Sequence, residues 1–185
     1  MYPGAYVATN PDKAAVIVAE TGEAVTFAQL ESNSIRIARV LHGLGLRRGD
    51  NLAVLATNNV QVFDIYWAAM RSGVYLTMVN WHLTAPEGAY IVEDCEAKVV
   101  IVDAALSELA ATLSELVPLQ VTRLSFGGQL DGYDSSTGRL TWSRTSRSRI
   151  SRAAPTCCTR REPPAVPRAS SRLCRIVRYR IPAIR

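Results

Sequence analysis

The sequence is short of what several common function classes need. No apolar run approaches the roughly 20 residues that span a bilayer, and the N-terminal MYPGAYVATNPDK lacks the charged and apolar regions of a secretory leader. No transmembrane segment is expected, and the cytoplasm is the expected compartment. Cysteine is scarce: four in 185 residues, with no C-x-x-C and only two histidines, so no metal site is expected from spacing. Cys95 stands alone, while Cys157, Cys158 and Cys174 fall late in the chain. Gly127, Gly128 and Gly132 do not have phosphate-loop spacing.

No lysine follows Lys98, and the balance of charge changes sign near residue 138. Up to Gly138 there are eight Lys and Arg against fifteen Asp and Glu, a net charge of −7; from Arg139 onward there are thirteen Arg and one acid, Glu162, a net of +12. The overall +5 is therefore an average of two unlike compositions. The second part has no apolar period of 3.6 or 2, and its SRTSRSRISR and RREPPAVPR cannot bury enough surface to offset ordering entropy. A folded region over residues 1–133 and a disordered basic tail over 134–185 are expected. Only Trp142 and Tyr179 interrupt that tail with large aromatics, too few to stack bases, so no specific nucleic-acid partner is expected.

What is present is an alternation of strand and helix patterns. Ala14–Glu20 and Ala24–Thr26 flank a Thr21-Gly22 turn and read as a hairpin. Thr26 and Gln29 form a capping box ahead of a helix with Leu30, Ile37, Leu41 and Leu44 on one stripe. Gly45–Asn80 reads as a complete βαβ unit. Asn51–Ala56 is its first strand, Asn58 or Asn59 caps the helix, and Val60, Phe63, Trp67 and Met70 form the apolar stripe, which leaves Asp64 on the exposed face. Gly73 ends that helix in a left-handed conformation, and Val74–Val79 is a strand expected to be buried on both faces. Thr84 and Glu87 make a second capping box, Lys98–Val102 a third buried strand, Asp103 a cap for a helix carrying Leu106, Leu109, Leu113 and Leu116, and Val121–Phe126 a further strand. The order argues a parallel α/β sheet.

Candidate site residues are few. His42 falls in the last turn of its helix, where a cation suits the dipole, and reads as structural. Trp81 and His82 stand at a strand-to-helix junction of the kind that lines ligand crevices, and are the candidate substrate-binding pair.

Residues 25–102 resemble the start of the AMP-forming acyl-CoA synthetases, the adenylate-forming enzymes. The resemblance rests on VTFAQLESNSIRIARVLHGLGLRRGDNLAVLATNN, AAMRSGVYLTMVN and LTAPEGAYIVEDCEAKVVIVD, and covers most of the first 130 residues. His82 departs from the Arg that many members have there. The resemblance implies an incomplete parallel-sheet portion of the adenylate-forming enzyme N-terminal domain. For an intact member it implies ATP, Mg²⁺, coenzyme A and a carboxylic (fatty) acid substrate. The ribose-binding acid and the mobile domain of that family have no counterpart in these 185 residues, so no catalytic residue is carried over and no cofactor is expected for this chain.

The family's next landmark is a loop of the type YSSGTTGxPKG, whose donors and Lys hold the triphosphate. Here PTCCTRREPPAVPRAS stands in its place. If the third base of each codon is joined to the first two of the next, Thr156–Ala169 permits M-L-Y-S-S-G-T-T-G-R-P-K-G. The same shift over Leu140–Thr156 permits D-V-E-P-D-V-P-I-T-D-Q-P-R-G-A-D-M. Each step allows only a handful of residues, so the tail is expected to be out-of-frame translation that begins between Asp134 and Leu140. The competing expectations are a small αβ binding module whose basic arm contacts nucleic acid or acidic partners, and a truncated scaffold that pairs with a full-length homologue. An exposed sheet edge would make such a scaffold aggregation-prone.

Overall fold

The computed structural model describes residues 2–135. The rest of the expected disordered tail lies outside the described residues. A short helix α1 (Gly4–Val7) leads into the antiparallel hairpin of β1 (Ala14–Ile17) and β2 (Ala24–Thr26), turned at Gly22 with φ +70°. The hairpin ends in the capping box: Thr26 Oγ1 accepts from the Gln29 backbone N–H at 3.2 Å, and Gln29 Oε1 accepts from the Thr26 N–H at 2.9 Å. Such a cap stabilises a helix by about 1 kcal/mol. It starts α2 (Phe27–Gly43), which buries Leu30, Ile37 and Leu41 as its 3.6-residue period requires.

Four parallel strands follow, each separated by a helix. They are β3 (Asn51–Leu55), β4 (Tyr75–Val79), β5 (Ala97–Asp103) and β6 (Thr122–Phe126), joined by α3 (Gln61–Ser72), α4 (Ala85–Asp94) and α5 (Ser107–Leu116). A two-residue strand β7 (Asp134–Ser135) pairs parallel to β6, which carries the sheet two residues past the expected limit at 133. The sheet order is β4-β3-β5-β6-β7. Side-chain alternation divides the core: Leu52, Val54, Val99, Ile101, Leu124 and Phe126 pack with α2 and α3, and Ala53, Leu55, Val100 and Val102 pack with α4 and α5 on the other face. The central strands β3 and β5 are buried on both faces, so they read as continuous apolar runs.

The structure corrects three sequence-based expectations. The aromatic stripe of α3 faces outward, with Phe63 46% exposed, whereas Asp64, expected on the surface, is 1% exposed. The face laid on the sheet is Ile65, Ala68 and Ala69, each fully buried. A polar seam to α2 occupies its flank: Asn33 Nδ2 donates to Asp64 Oδ2 at 3.0 Å, and Arg71 pairs with Glu31 at 2.6 Å. Trp67, expected in the core, is half-buried and meets Tyr66 edge-on with centroids 5.3 Å apart. Secondly, β4 is the edge strand, not doubly buried: Tyr75 is 51% and Met78 49% exposed. Thirdly, α5 buries Ala110 and Leu113 while Leu116 is exposed, because the helix ends there and Val117 takes the buried position.

Candidate functional site

Doubly wound sheets bind ligands where the winding direction reverses, outside the carboxyl ends of the two strands that part company. The chain moves from β3 outward to β4, then returns past β3 to β5, so the reversal lies between β3 and β5. Thr57–Asn59 leave β3 there and Asp103 ends β5. Asp103 is 5% exposed and is surrounded by donors. Its Oδ2 accepts from Thr57 Oγ1 at 2.5 Å, the Thr57 backbone N–H at 3.3 Å and Asn59 Nδ2 at 2.9 Å. Its Oδ1 accepts from the Ala105 N–H at 3.0 Å and so caps the 3₁₀ turn Ala104–Leu106. Asn59 Oδ1 also accepts from the Gln61 N–H at 3.0 Å just ahead of α3, whose cap position is taken by Val60 and not by the expected Asn58 or Asn59. Gly127, at φ +77°, closes the crevice from β6; a Cβ there would sit 3.4 Å from Asp103 Oδ1.

Trp81 and His82 lie at the carboxyl end of β4, one strand outward from the reversal. Their rings stack with centroids 3.6 Å apart and an interplanar angle of 31°, and both side chains are exposed. The His82 N–H donates to Asn80 Oδ1 at 3.1 Å, which shapes the turn that leads to the Thr84–Glu87 cap of α4. The Thr84 donors that Glu87 accepts hold its carboxyl below the usual carboxylate range. The two candidates are therefore brought together with each other. His42 is on the exposed side of the last turn of α2, where its backbone carbonyl accepts from Arg47 Nη1 at 2.8 Å. Cys95 is a free thiol at the end of α4, pushed up in pKa by burial against an opposing hydrogen bond with Thr77, which suits packing and not nucleophilic attack.

The Thr57–Asn59–Asp103 cluster was not legible as a unit. Asp103 reads as a helix cap, and its tie to a loop 46 residues earlier needs the strand order. The one usable signal was that polar residues follow both buried strands at once. The cluster does not fit Mg²⁺ or a nucleotide triphosphate: Asp103 is its one carboxylate, is 5% exposed and is engaged by four protein donors, and an anionic triphosphate would meet it with like charge. Among the described residues, no group of three or more His, Cys, Asp or Glu side chains is placed to hold a metal ion, and no helix is long and apolar enough to cross a membrane.

The AMP-binding enzyme family model matches residues 5–171. The fatty acid–[acyl-carrier-protein] ligase ScoC of Streptomyces coeruleorubidus is 35% identical over 82 residues, 44% of this chain and 16% of the relative. The long-chain-fatty-acid–CoA ligase FadD13 of Mycobacterium tuberculosis is 34% identical over 92 residues, 50% of this chain and 18% of the relative. Among solved structures, a Mycobacterium tuberculosis fatty acyl CoA synthetase superposes with a TM-score of 0.64 at 28% identity, over 76% of this chain and 27% of that one. The anthranilate CoA ligase AuaEII shares the fold at a TM-score of 0.65 and 22% identity, over 75% of this chain and 26% of that one. The chain thus spans less than a fifth of these two curated relatives. With its parallel sheet superposing on those ligases and the family model matched over most of its length, the chain belongs to the AMP-binding enzyme family.

Proposed function

We propose that this chain carries the first α/β layer of an ATP-dependent acid–thiol ligase and does not itself catalyse adenylation. In the reaction that the relatives' names point to, a fatty carboxylate attacks the α-phosphate of ATP with loss of pyrophosphate, and the thiol of coenzyme A or of a carrier protein then displaces AMP from the acyl-adenylate. ATP and Mg²⁺ supply the leaving group and the charge neutralisation. The described residues of this chain contribute scaffold. Asp103, Thr57 and Asn59 hold the loops at the reversal of the sheet, and Trp81 with His82 is the surface proposed to meet substrate. Its compartment, on this reading, is the cytoplasm.

The observation that carries this reading is the string PTCCTRREPPAVPRAS at Pro155–Ser170, which spells the family's phosphate loop only in a shifted frame. The family match runs to residue 171 and so crosses this string. Without the loop's donors and its Lys, charge building on the phosphates has nothing to stabilise it. Two measurements test the reading. Sequencing of the gene across codons 134–170 should show the shifted codons spelling the loop; any other spelling overturns the frame argument. Pyrophosphate release from ATP with a panel of fatty acids should equal the blank, and release above it refutes inactivity.

A further inference from the structure

We propose that a cleft at the amino end of the sheet, opposite the β3/β5 reversal, binds a phosphate-bearing anion. The cleft has a volume of about 370 Å³ and lies between the ends of α2 and α3 and the turn that enters β3. Five basic side chains line it, Arg39, His42, Arg47, Arg48 and Arg71, and no acidic residue does. This is a segregation of charge, because the chain up to Gly138 has a net charge of −7 and only eight Lys and Arg in all, four of which converge here. An acid-rich surface that gathers half its cations around one concavity raises the local potential for anions.

The four arginines divide into two pairs. Arg47 and Arg71 are fixed framework. Arg47 Nη1 donates to the carbonyls of His42 and Leu46 at 2.8 and 2.9 Å, and Arg71 is held by Glu31 at 2.6 Å and by Ser34 Oγ at 3.0 Å. Asp50, the other nearby acid, is engaged by the Arg47 N–H at 2.7 Å and by Lys98 at 2.8 Å. Arg39 and Arg48 are exposed and have no ion-pair or hydrogen-bond partner among the described residues. The Arg48 stem lies over Gly73, where an added Cβ would come within 3.0 Å of Arg48 Cγ, so Gly73 keeps room for that side chain at the cleft wall. Two uncommitted guanidinium groups, with two more held in place behind them, suit the several acceptor oxygens of a phosphate. Ile35, Ala38 and Leu46 add apolar lining that a ligand's non-phosphate body can cover. This inference does not depend on the adenylation reading.

The test is an NMR titration of the full 185-residue chain with sodium pyrophosphate in 150 mM NaCl, following backbone amides. The expected result is saturating shifts at Arg39, Arg48 and Ser72, with affinity about tenfold weaker in an Arg39→Gln/Arg48→Gln double variant whose other amides are unmoved. A parallel arm uses sedimentation with phosphatidylglycerol and phosphatidylcholine vesicles. Response to pyrophosphate identifies a soluble phosphate. Response only to phosphatidylglycerol, lost in the double variant, identifies a lipid headgroup. Shifts confined to residues 139–185, affinity unchanged in the double variant, or no response in either arm overturns the proposal.

Discussion

Replacing Asp103 tests whether one carboxylate ties the two halves of the sheet's reversal together. The side chain accepts from four donors: Thr57 Oγ1, the Thr57 N–H, Asn59 Nδ2 and the Ala105 N–H. Asp103→Ala leaves all of them without this acceptor. The cap on Ala105 contributes about 1 kcal/mol. Each remaining bond contributes about 1 kcal/mol net, with Thr57 and Asn59 only half-buried so that water replaces part of what is lost. The expected cost is about 3 kcal/mol, a large share of the 5–15 kcal/mol typical of a domain. Asp103→Asn is the sharper probe. Its single carbonyl oxygen can serve the crowded Oδ2 side, but its amide nitrogen then faces the Ala105 N–H, so about 1–2 kcal/mol should be lost. Urea unfolding of the full chain, read by tryptophan fluorescence, measures both, and a double-mutant cycle of Asp103→Ala with Thr57→Val, which removes the acceptor on the Thr57 side, should show about 1 kcal/mol of coupling. The reasoning fails if Asp103→Ala unfolds within about 0.5 kcal/mol of the parent, or if the cycle shows no coupling.

The inverted face of α3 makes a second prediction. Phe63→Ser should change stability by less than about 0.5 kcal/mol, whereas Ala68→Leu, pressed against the strands, should cost about 1–3 kcal/mol by overpacking; urea midpoints decide, and the reverse order would restore the aromatic stripe to the core. Tyr133 makes a third. Its hydroxyl donates to the Ala110 carbonyl at 3.0 Å, and burial pushes its pKa up to about 12 from 10. Because the folded state holds the proton more tightly, this group costs nothing below pH 10 and destabilises the fold progressively between pH 10 and 12, by up to about 2 kcal/mol. Tyr133→Phe should therefore be about 1 kcal/mol less stable at pH 7 and lose that deficit as pH rises towards 12; an unchanged difference across this range would contradict the assignment.

The strands and both capping boxes could be read from the sequence because their signals are local. Thr26 with Gln29 and Thr84 with Glu87 carry the box within four residues, and the apolar runs of β3 and β5 are continuous because both faces are covered. What failed depends on neighbours far along the chain. Nothing within Gln61–Ser72 says that Ala68 and Ala69, not Phe63 and Trp67, meet the sheet; that is decided by how closely α3 must approach β3 and by the polar partners Asn33, Glu31 and Ser34 on α2. Likewise Tyr-Leu-Thr-Met-Val has the composition of an interior strand, and only the strand order puts it at the edge. Trp81 and His82 were legible as a junction, while the crevice at Asp103 required knowing which strands stand side by side.

The strand order also bears on synthesis. Each pairing of β3, β4, β5 and β6 joins segments that have all left the ribosome once Phe126 is out, and Asp103 and Thr57 are both available before that. Domains form from their N-terminal side while the chain is still growing. If the reading frame slips after Asp134, as proposed above, β3 to β6 are already encoded before the slip. On that proposal the cell would receive an α/β layer joined to an unrelated sequence, and quality control would have to act on the joined segment and not on the layer.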